Sequence, residues 1–273
     1  MNKIGGVIGM TKIFIDPGHG GADSGATGNG LREKDLTLKI SLKLRDILSN
    51  EYEGHSLRLS RTTDTSVSLS ERTNMANSWG AHYLVSVHIN AGGGTGFESY
   101  IYNGSYSGKP ETNRLRGVVH DEVINETAFR DRGKKEANFH MLRESNMPAI
   151  LTENGFIDHQ EDAGRLKNDA FLTQLARGHA IGLAKAFGLQ KKSGKTTHYR
   201  VVTGSFTSRK NAEKRVNELK NKGFTSFIDI FKRDGTTYYR VITGSYKNRT
   251  NAQKQVDALK KAGFKAFIDI YEA

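Results

Sequence analysis

Lys12-Ile-Phe-Ile-Asp-Pro-Gly-His-Gly-Gly21 sets a short apolar run against a glycine-rich turn. An apolar run bounded by turn residues reads as a buried strand, here residues 12–16, with His19 just beyond its end. Working outward, the same reasoning predicts strands over residues 56–60, 83–87, 99–102 and 149–152. Apolar residues at helical spacing mark 36–48, 69–79, 113–124 and 171–187, with a shorter segment at 138–143. Strands that alternate with helices predict an α/β domain whose mainly parallel sheet is covered by helices on both faces.

The composition fits that picture. Hydrophobic residues make up 36% of the 273-residue chain, with 30 Gly and 3 Pro, which excludes collagen-like and disordered classes. No apolar run is long enough for a membrane span. The chain has no cysteine, so disulfides, thiolate metal sites and a Cys nucleophile are excluded. Any metal must then be held by His, Asp or Glu. Residues 1–9 lack the long apolar core and cleavage site of a signal peptide, so cytoplasmic synthesis without an export signal is expected, with Met10 as an alternative start.

Charge divides the chain in two. Residues 1–190 hold 22 basic and 22 acidic residues, whereas residues 196–273 hold 16 and 7, so the net +12 lies in the tail and the lysines just before it. A basic tail on a neutral body predicts docking on an anionic polymer, either nucleic acid or an acidic wall surface. The polar stretch Gln190-Lys-Lys-Ser-Gly-Lys-Thr-Thr197 marks a basic linker at 189–196 between domains at 11–188 and 197–273.

Beyond the linker the chain repeats itself. Tyr199-Arg-Val-Val-Thr-Gly-Ser-Phe206 returns as Tyr239-Arg-Val-Ile-Thr-Gly-Ser-Tyr246, and Gly223-Phe-Thr-Ser-Phe-Ile-Asp-Ile230 returns as Gly263-Phe-Lys-Ala-Phe-Ile-Asp-Ile270. In each copy a strand precedes a helix, with Ala212, Val216 and Leu219, or Ala252, Val256 and Leu259, on one helical face. Gly223 and Gly263 end those helices before a second strand. The order βαββαβ is that of a small α+β ferredoxin-like domain.

Four residues of the first domain carry chemistry. His19, His88 in Ser86-Val-His-Ile-Asn90, and Glu153 in Thr152-Glu-Asn-Gly-Phe156 stand at or just beyond strand ends. Sites of open α/β sheets form at that carboxyl edge. Glu33, in Arg32-Glu-Lys-Asp35, opens the helix after the glycine-rich loop and can swing back over the same edge. Two imidazoles and a carboxylate are a ligand set of catalytic zinc, and a second carboxylate beside them can serve as the base. Singly, each residue is as well explained by a turn or a first helical turn. Their convergence on one edge is what points to a site.

The run from Lys12 to Gly21, with Arg32-Glu-Lys-Asp35, Leu59-Ser-Arg61, Leu69-Ser-Glu-Arg72, Ser86-Val-His-Ile-Asn90 and Met147-Pro-Ala-Ile-Leu-Thr-Glu-Asn-Gly-Phe156, resembles the zinc-dependent N-acetylmuramoyl-L-alanine amidases of the third amidase family. The tail similarly resembles the peptidoglycan-binding SPOR repeats. The resemblance implies Zn2+ as cofactor, His19, Glu33 and His88 as its ligands, and Glu153 as the catalytic glutamate. It implies hydrolysis of the amide between N-acetylmuramic acid and L-alanine, as in sporulation mother-cell autolysins and phage endolysins. A non-catalytic wall-binding protein and a zinc peptidase of the stem peptide are the competing readings.

Other residues are assigned more loosely. Arg143 is expected to meet a substrate carboxylate, and Asn90 and Asn154 to position substrate or neighbouring groups. Arg61 and Arg72 read as buried ion-pair partners beneath the sheet rather than as substrate contacts. In the tail, Tyr199 and Tyr239 are candidate platforms for sugar rings, with Arg200 and Arg240 reaching anionic groups. An RNA-binding sheet would also be βαββαβ with aromatics, but Thr225 and Ser226 separate Phe224 from Phe227 in the wrong register for base stacking, so no nucleic-acid partner is expected. A monomer is expected, with residues 103–110 as a loop able to cover the cleft.

Overall fold

The computed structural model describes residues 10–192 and 197–272, in two compact units that divide between Lys192 and Ser193. The proposed start at residues 1–9 and the linker residues 193–196 lie outside the described residues.

The first unit runs β1 (Thr11–Pro17), β2 (Thr27–Gly28), β3 (Leu31–Arg32), α1 (Glu33–Glu51), β4 (Tyr52–Glu53), β5 (His55–Leu59), α2 (Leu69–Trp79), β6 (Tyr83–Asn90) and β7 (Phe97–Tyr102). It continues through α3 (Lys109–Thr127), β8 (Asp131–Ala137), α4 (His140–Arg143), β9 (Ala149–Phe156), α5 (Gln160–Leu166), α6 (Asp169–Phe187) and β10 (Gln190–Lys191). Six strands form one sheet in the order β5-β1-β6-β9-β7-β8. All neighbouring pairs are parallel except β7 with β9.

The sheet is covered on both faces, as the alternation of strands and helices predicts. Ile13 and Ile15 of β1 join Val85 and Val87 of β6 in a core shared with Leu36 and Ile40 of α1, Val119 of α3 and Leu175 of α6. Phe14, one residue out of phase, packs on the other face with Ala76 of α2, Leu84, Leu151 and Met141 of α4. That split is the period-2 alternation of a strand buried on both sides. The helix α2 starts at a full capping box, with Ser68 and Glu71 exchanging hydrogen bonds.

Three features depart from the expectations. The edge strand β8 carries Asp131-Arg-Gly-Lys-Lys-Glu and so has no apolar alternation to reveal it. The α5 turn was likewise not foreseen. Gln190 and Lys191 pair with Tyr52 and Glu53, so the first residues of the expected 189–196 linker are strand residues of the first unit.

The second unit runs β11 (Thr197–Phe206), α7 (Arg209–Asn221), β12 (Phe227–Arg233), β13 (Thr236–Tyr246), α8 (Arg249–Lys261) and β14 (Phe267–Glu272). Its antiparallel sheet has the order β12-β13-β11-β14, the ferredoxin-like arrangement expected from the repeat. Val201 and Val241 from the central strands pack against Ala212 and Leu219 of α7 and Ala252, Val256 and Leu259 of α8.

Candidate active site

The edge at which β1, β6 and β9 end gathers the four chemistry-bearing residues. His19 leaves β1 with φ 59°, a left-handed conformation rare outside glycine. Its ring is held from both sides, Nδ1 lying 2.8 Å from Asp23 Oδ2 and Nε2 3.2 Å from Glu33 Oε1. Glu33 Oε1 also lies 2.9 Å from His88 Nδ1 and accepts a hydrogen bond from the Ile89 amide at 3.0 Å, while Oε2 accepts one from Ala26 N at 2.8 Å. One ligand atom from each of His19, Glu33 and His88 falls within 4.8 Å of the others.

The glycines around the site permit this crowding. A Cβ on Gly18 would stand 2.4 Å from the His88 ring, and one on Gly25 would stand 2.6 Å from both Glu33 Oε2 and the His19 ring. Below the loop, two buried arginines fix its backbone. Arg72 pairs with buried Asp16 at 2.8 Å and donates to the Pro17 and His19 carbonyls. Arg61 donates to the Pro17, Gly18 and Lys34 carbonyls and has no ion pair among the described residues, so the ion-pair expectation is met there by Arg72 alone.

Charge at the site is strongly biased. Burial opposes ionisation of Glu33, yet hydrogen bonds and charge from His19 and His88 hold its carboxyl well below the usual range. Burial likewise works against a charged His19 ring, but Glu33 and Asp23 outweigh it and raise its pKa. Glu153 is the opposite case. Burial first, then the charges of Glu33 and Glu98, push its carboxyl well above the ordinary range. Its Oε2 is buried without a hydrogen-bond partner among the described residues.

Strand register places Glu153 beside this cluster. His88 and Glu153 are direct neighbours across β6 and β9, and Glu98 is opposite Glu153 across β7 and β9. Glu98 was not foreseen. Its carboxylate is buried and held by Asn90 at 2.6 Å, by Arg132 at 3.2 Å and by Lys135. The alternation of Phe97-Glu-Ser-Tyr-Ile-Tyr102 was the available signal, but the strand expected there began two residues late.

The loosely assigned residues divide. Asn90 is at the site edge, engaged with Glu98 and with its own loop through Ala91 N. Asn154 is buried and donates to the His88 and Thr152 carbonyls, tying β6 to β9. Arg143 is not brought to the cluster. It bonds Asn138 and Glu144 and lines a separate cavity of about 370 Å³ with Tyr102, Tyr106 and Met147. The cavity beside His19 and His88, about 440 Å³, is lined instead by Ser66, Val67, Leu69 and Arg72. Because β7 is antiparallel to β9, the loop after Tyr102 leaves the sheet at the other edge, away from the cluster it was expected to cover.

In the second unit, Tyr199 and Tyr239 are partly buried against the core on the helix side of the sheet. The other side carries Phe227 and Phe267, each about half exposed, and two stacked pairs: Arg240 lies 3.7 Å above the Phe231 ring and Arg200 3.3 Å above the Tyr271 ring. The same arginines pair with Asp269 and Asp229.

Comparison with known proteins agrees with this geometry. Residues 13–185 match a family described as N-acetylmuramoyl-L-alanine amidase, and residues 195–269 match the SPOR domain. Over 219 residues the chain is 58% identical to the sporulation-specific N-acetylmuramoyl-L-alanine amidase of Bacillus subtilis, an alignment covering 80% of this chain and 84% of that protein. It is 45% identical to the endolysin of Bacillus phage SPP1, over 67% of this chain and 68% of the endolysin. Among solved structures, an N-acetylmuramoyl-L-alanine amidase from Clostridium difficile 630 superposes with a TM-score of 0.62 at 38% identity, covering 66% of this chain and 97% of that one. On the family match, the sequence identity and the shared fold together, the chain belongs to the N-acetylmuramoyl-L-alanine amidases.

Proposed function

We propose that the chain hydrolyses the amide between the lactyl group of N-acetylmuramic acid and the L-alanine of the peptidoglycan stem, with a zinc ion held by His19, Glu33 and His88 and with Glu153 as proton carrier. The observation that carries this reading is the meeting of two imidazoles and an ionised carboxylate within 4.8 Å, one strand away from a buried carboxyl whose Oε2 has no partner. Two neutral nitrogens and a carboxylate oxygen suit zinc, and three protein ligands leave a position open for chemistry. Bound zinc supplies Lewis acidity, polarising a carbonyl and making water a nucleophile near neutral pH.

The chain's own residues do the rest. Asp23 holds His19 Nδ1, which fixes the ring and leaves Nε2 facing the site. Ile89 N and Ala26 N each donate to Glu33 and fix its carboxylate. Glu153 Oε2 takes the proton of the attacking water and passes it to the departing alanine amine, a role that suits a carboxyl whose affinity for protons is raised by burial.

The named relatives include a sporulation amidase and a phage endolysin, and wall lysis is the activity common to both roles. In the repeat domain the open sheet face, with Phe227, Phe267 and the Arg200 and Arg240 stacks, is better placed for sugar rings than Tyr199 and Tyr239.

Purified protein, assayed for metal and for new amino termini released from walls, tests the reading. One zinc per chain, with new N-terminal alanine that disappears on chelation, is expected. New termini other than alanine would indicate a stem-peptide peptidase, and wall binding without cleavage would indicate a binding protein.

A further inference from the structure

The repeat domain sorts its charges by residue type. Its arginines are largely satisfied internally: Arg200 pairs with Asp229, Arg240 with Asp269, Arg209 with Glu213, Arg215 with Glu218 and Arg233 with Asp234. Its lysines are not. Lys210, Lys214 and Lys220 of α7 and Lys254, Lys260 and Lys261 of α8 are all exposed and have no ion pair among the described residues.

Their placement is systematic. At 3.6 residues per turn, Lys210 and Lys214 project from the side of α7 opposite the buried Ala212 and Leu219. Lys254 and Lys261 do the same on α8, opposite the buried Ala252 and Leu259. The repeat makes Lys254 the counterpart of Lys214, and Lys260 that of Lys220. Both helices contribute buried residues to the one core, so the lysines form a single basic layer on the side of the sheet away from the Phe227 and Phe267 rings.

The chemistry of that layer selects its partner. Clustered charge of one sign repels itself, and the acids of these helices offset little of it: Glu213 and Glu218 are paired with Arg209 and Arg215, which leaves Asp257 within one turn of Lys254 and Lys261. Arginine's planar fork fits carboxylate and phosphate alike in a fixed bidentate geometry, whereas lysine is a compact, flexible point charge that meets the phosphates of a mobile chain without a fixed orientation. No socket is needed when a polymer carries one charge per repeat, since neutralising several phosphates releases the counterions held along it. We propose that the helix layer of the repeat domain docks on a phosphodiester polymer of the cell wall, of the poly(polyol phosphate) kind, leaving the opposite sheet face for glycan. The choice of a wall polymer over nucleic acid rests on the wall-lytic reading above.

The test uses the full chain and purified poly(glycerol phosphate), with binding followed across a salt series. Wild-type protein should bind, with affinity falling steeply between roughly 50 and 200 mM salt. The quadruple variant Lys210→Gln, Lys214→Gln, Lys254→Gln, Lys261→Gln should lose on the order of tenfold in affinity at low salt, and its log–log salt slope should flatten by about 2–3. Hydrolysis of a soluble muropeptide by the same variant should be unchanged, which reads the amidase activity separately, and the isolated thermal transition of the repeat domain should match that of wild type, which shows that the substituted domain folds. Equal polymer binding by variant and wild type would overturn the proposal, as would tighter binding to duplex DNA at equal phosphate concentration. Absent muropeptide hydrolysis with intact polymer binding would sink the amidase reading and leave the docking surface standing.

Discussion

Glu153 is an expensive residue to keep where it is. Its carboxyl is buried beside Glu33 and Glu98, and Oε2 has no partner among the described residues. A charge in that position costs stability unless something outside the protein compensates it. Glu153→Gln keeps the shape and removes the charge. It should retain bound zinc while turnover falls on the order of 10²–10⁴-fold, measured as released N-terminal alanine. In metal-free protein near neutral pH the same substitution should raise the urea midpoint, because a carboxyl with a raised pKa destabilises the fold above its unfolded value. A lowered midpoint would mean that Glu153 makes a stabilising contact. His19, Glu33, His88 and Glu153 were legible in the sequence because chemistry-bearing side chains at successive strand ends must meet at one edge. Glu98 was not, since its place beside Glu153 depends on the antiparallel direction of β7, which no local pattern specifies.

The loop that presents His19 is held by elements rather than by its own sequence. Asp16 at the end of β1 is buried and pairs with Arg72 of α2, with Ser60 and Ser86 donating to the same carboxylate. Burial alone would raise the Asp16 pKa; Arg72 and the two hydroxyls reverse the effect and leave it lowered. A group with a depressed pKa stabilises the fold above its unfolded value, near 4, and that contribution is lost as the pH falls through the folded value. Arg72→Met leaves the carboxyl buried without its cation, so its pKa should rise. The expected cost is about 3–5 kcal/mol near neutral pH, shrinking towards pH 4 as Asp16 takes up a proton. Urea unfolding of metal-free protein at both pH values measures it, and a deficit independent of pH would show that Arg72 acts only through the Pro17 and His19 carbonyls. The strands and helices of this scaffold were legible wherever one face is apolar. The charged edge strand β8 escaped notice because its cross-strand hydrogen bonds need no hydrophobic pattern.

At the scale of the whole molecule, the division between Lys192 and Ser193 separates two units that each bury a core of their own. A chain ending at Lys192 keeps the pairing of Gln190 and Lys191 with Tyr52 and Glu53, which a cut at 188 would remove. His19, Glu33, His88 and Glu153 all belong to the first unit, so the shortened chain should hydrolyse a soluble muropeptide at close to the full-length rate. An insoluble wall is a different substrate. There, a second attachment point converts each encounter of the catalytic unit into one at high local concentration, and affinities combine without any new contact at the scissile bond. Removing residues 193–273 should therefore lower cleavage of intact walls on the order of tenfold or more, and raising salt should narrow the gap by weakening full-length binding, because the lost domain carries most of the net positive charge. Parallel release assays on soluble and insoluble substrate decide the matter. An equal loss on both would mean that the repeat domain supports the catalytic fold, whereas a loss confined to walls but indifferent to salt would place the tethering in the aromatic sheet face rather than in the lysine layer.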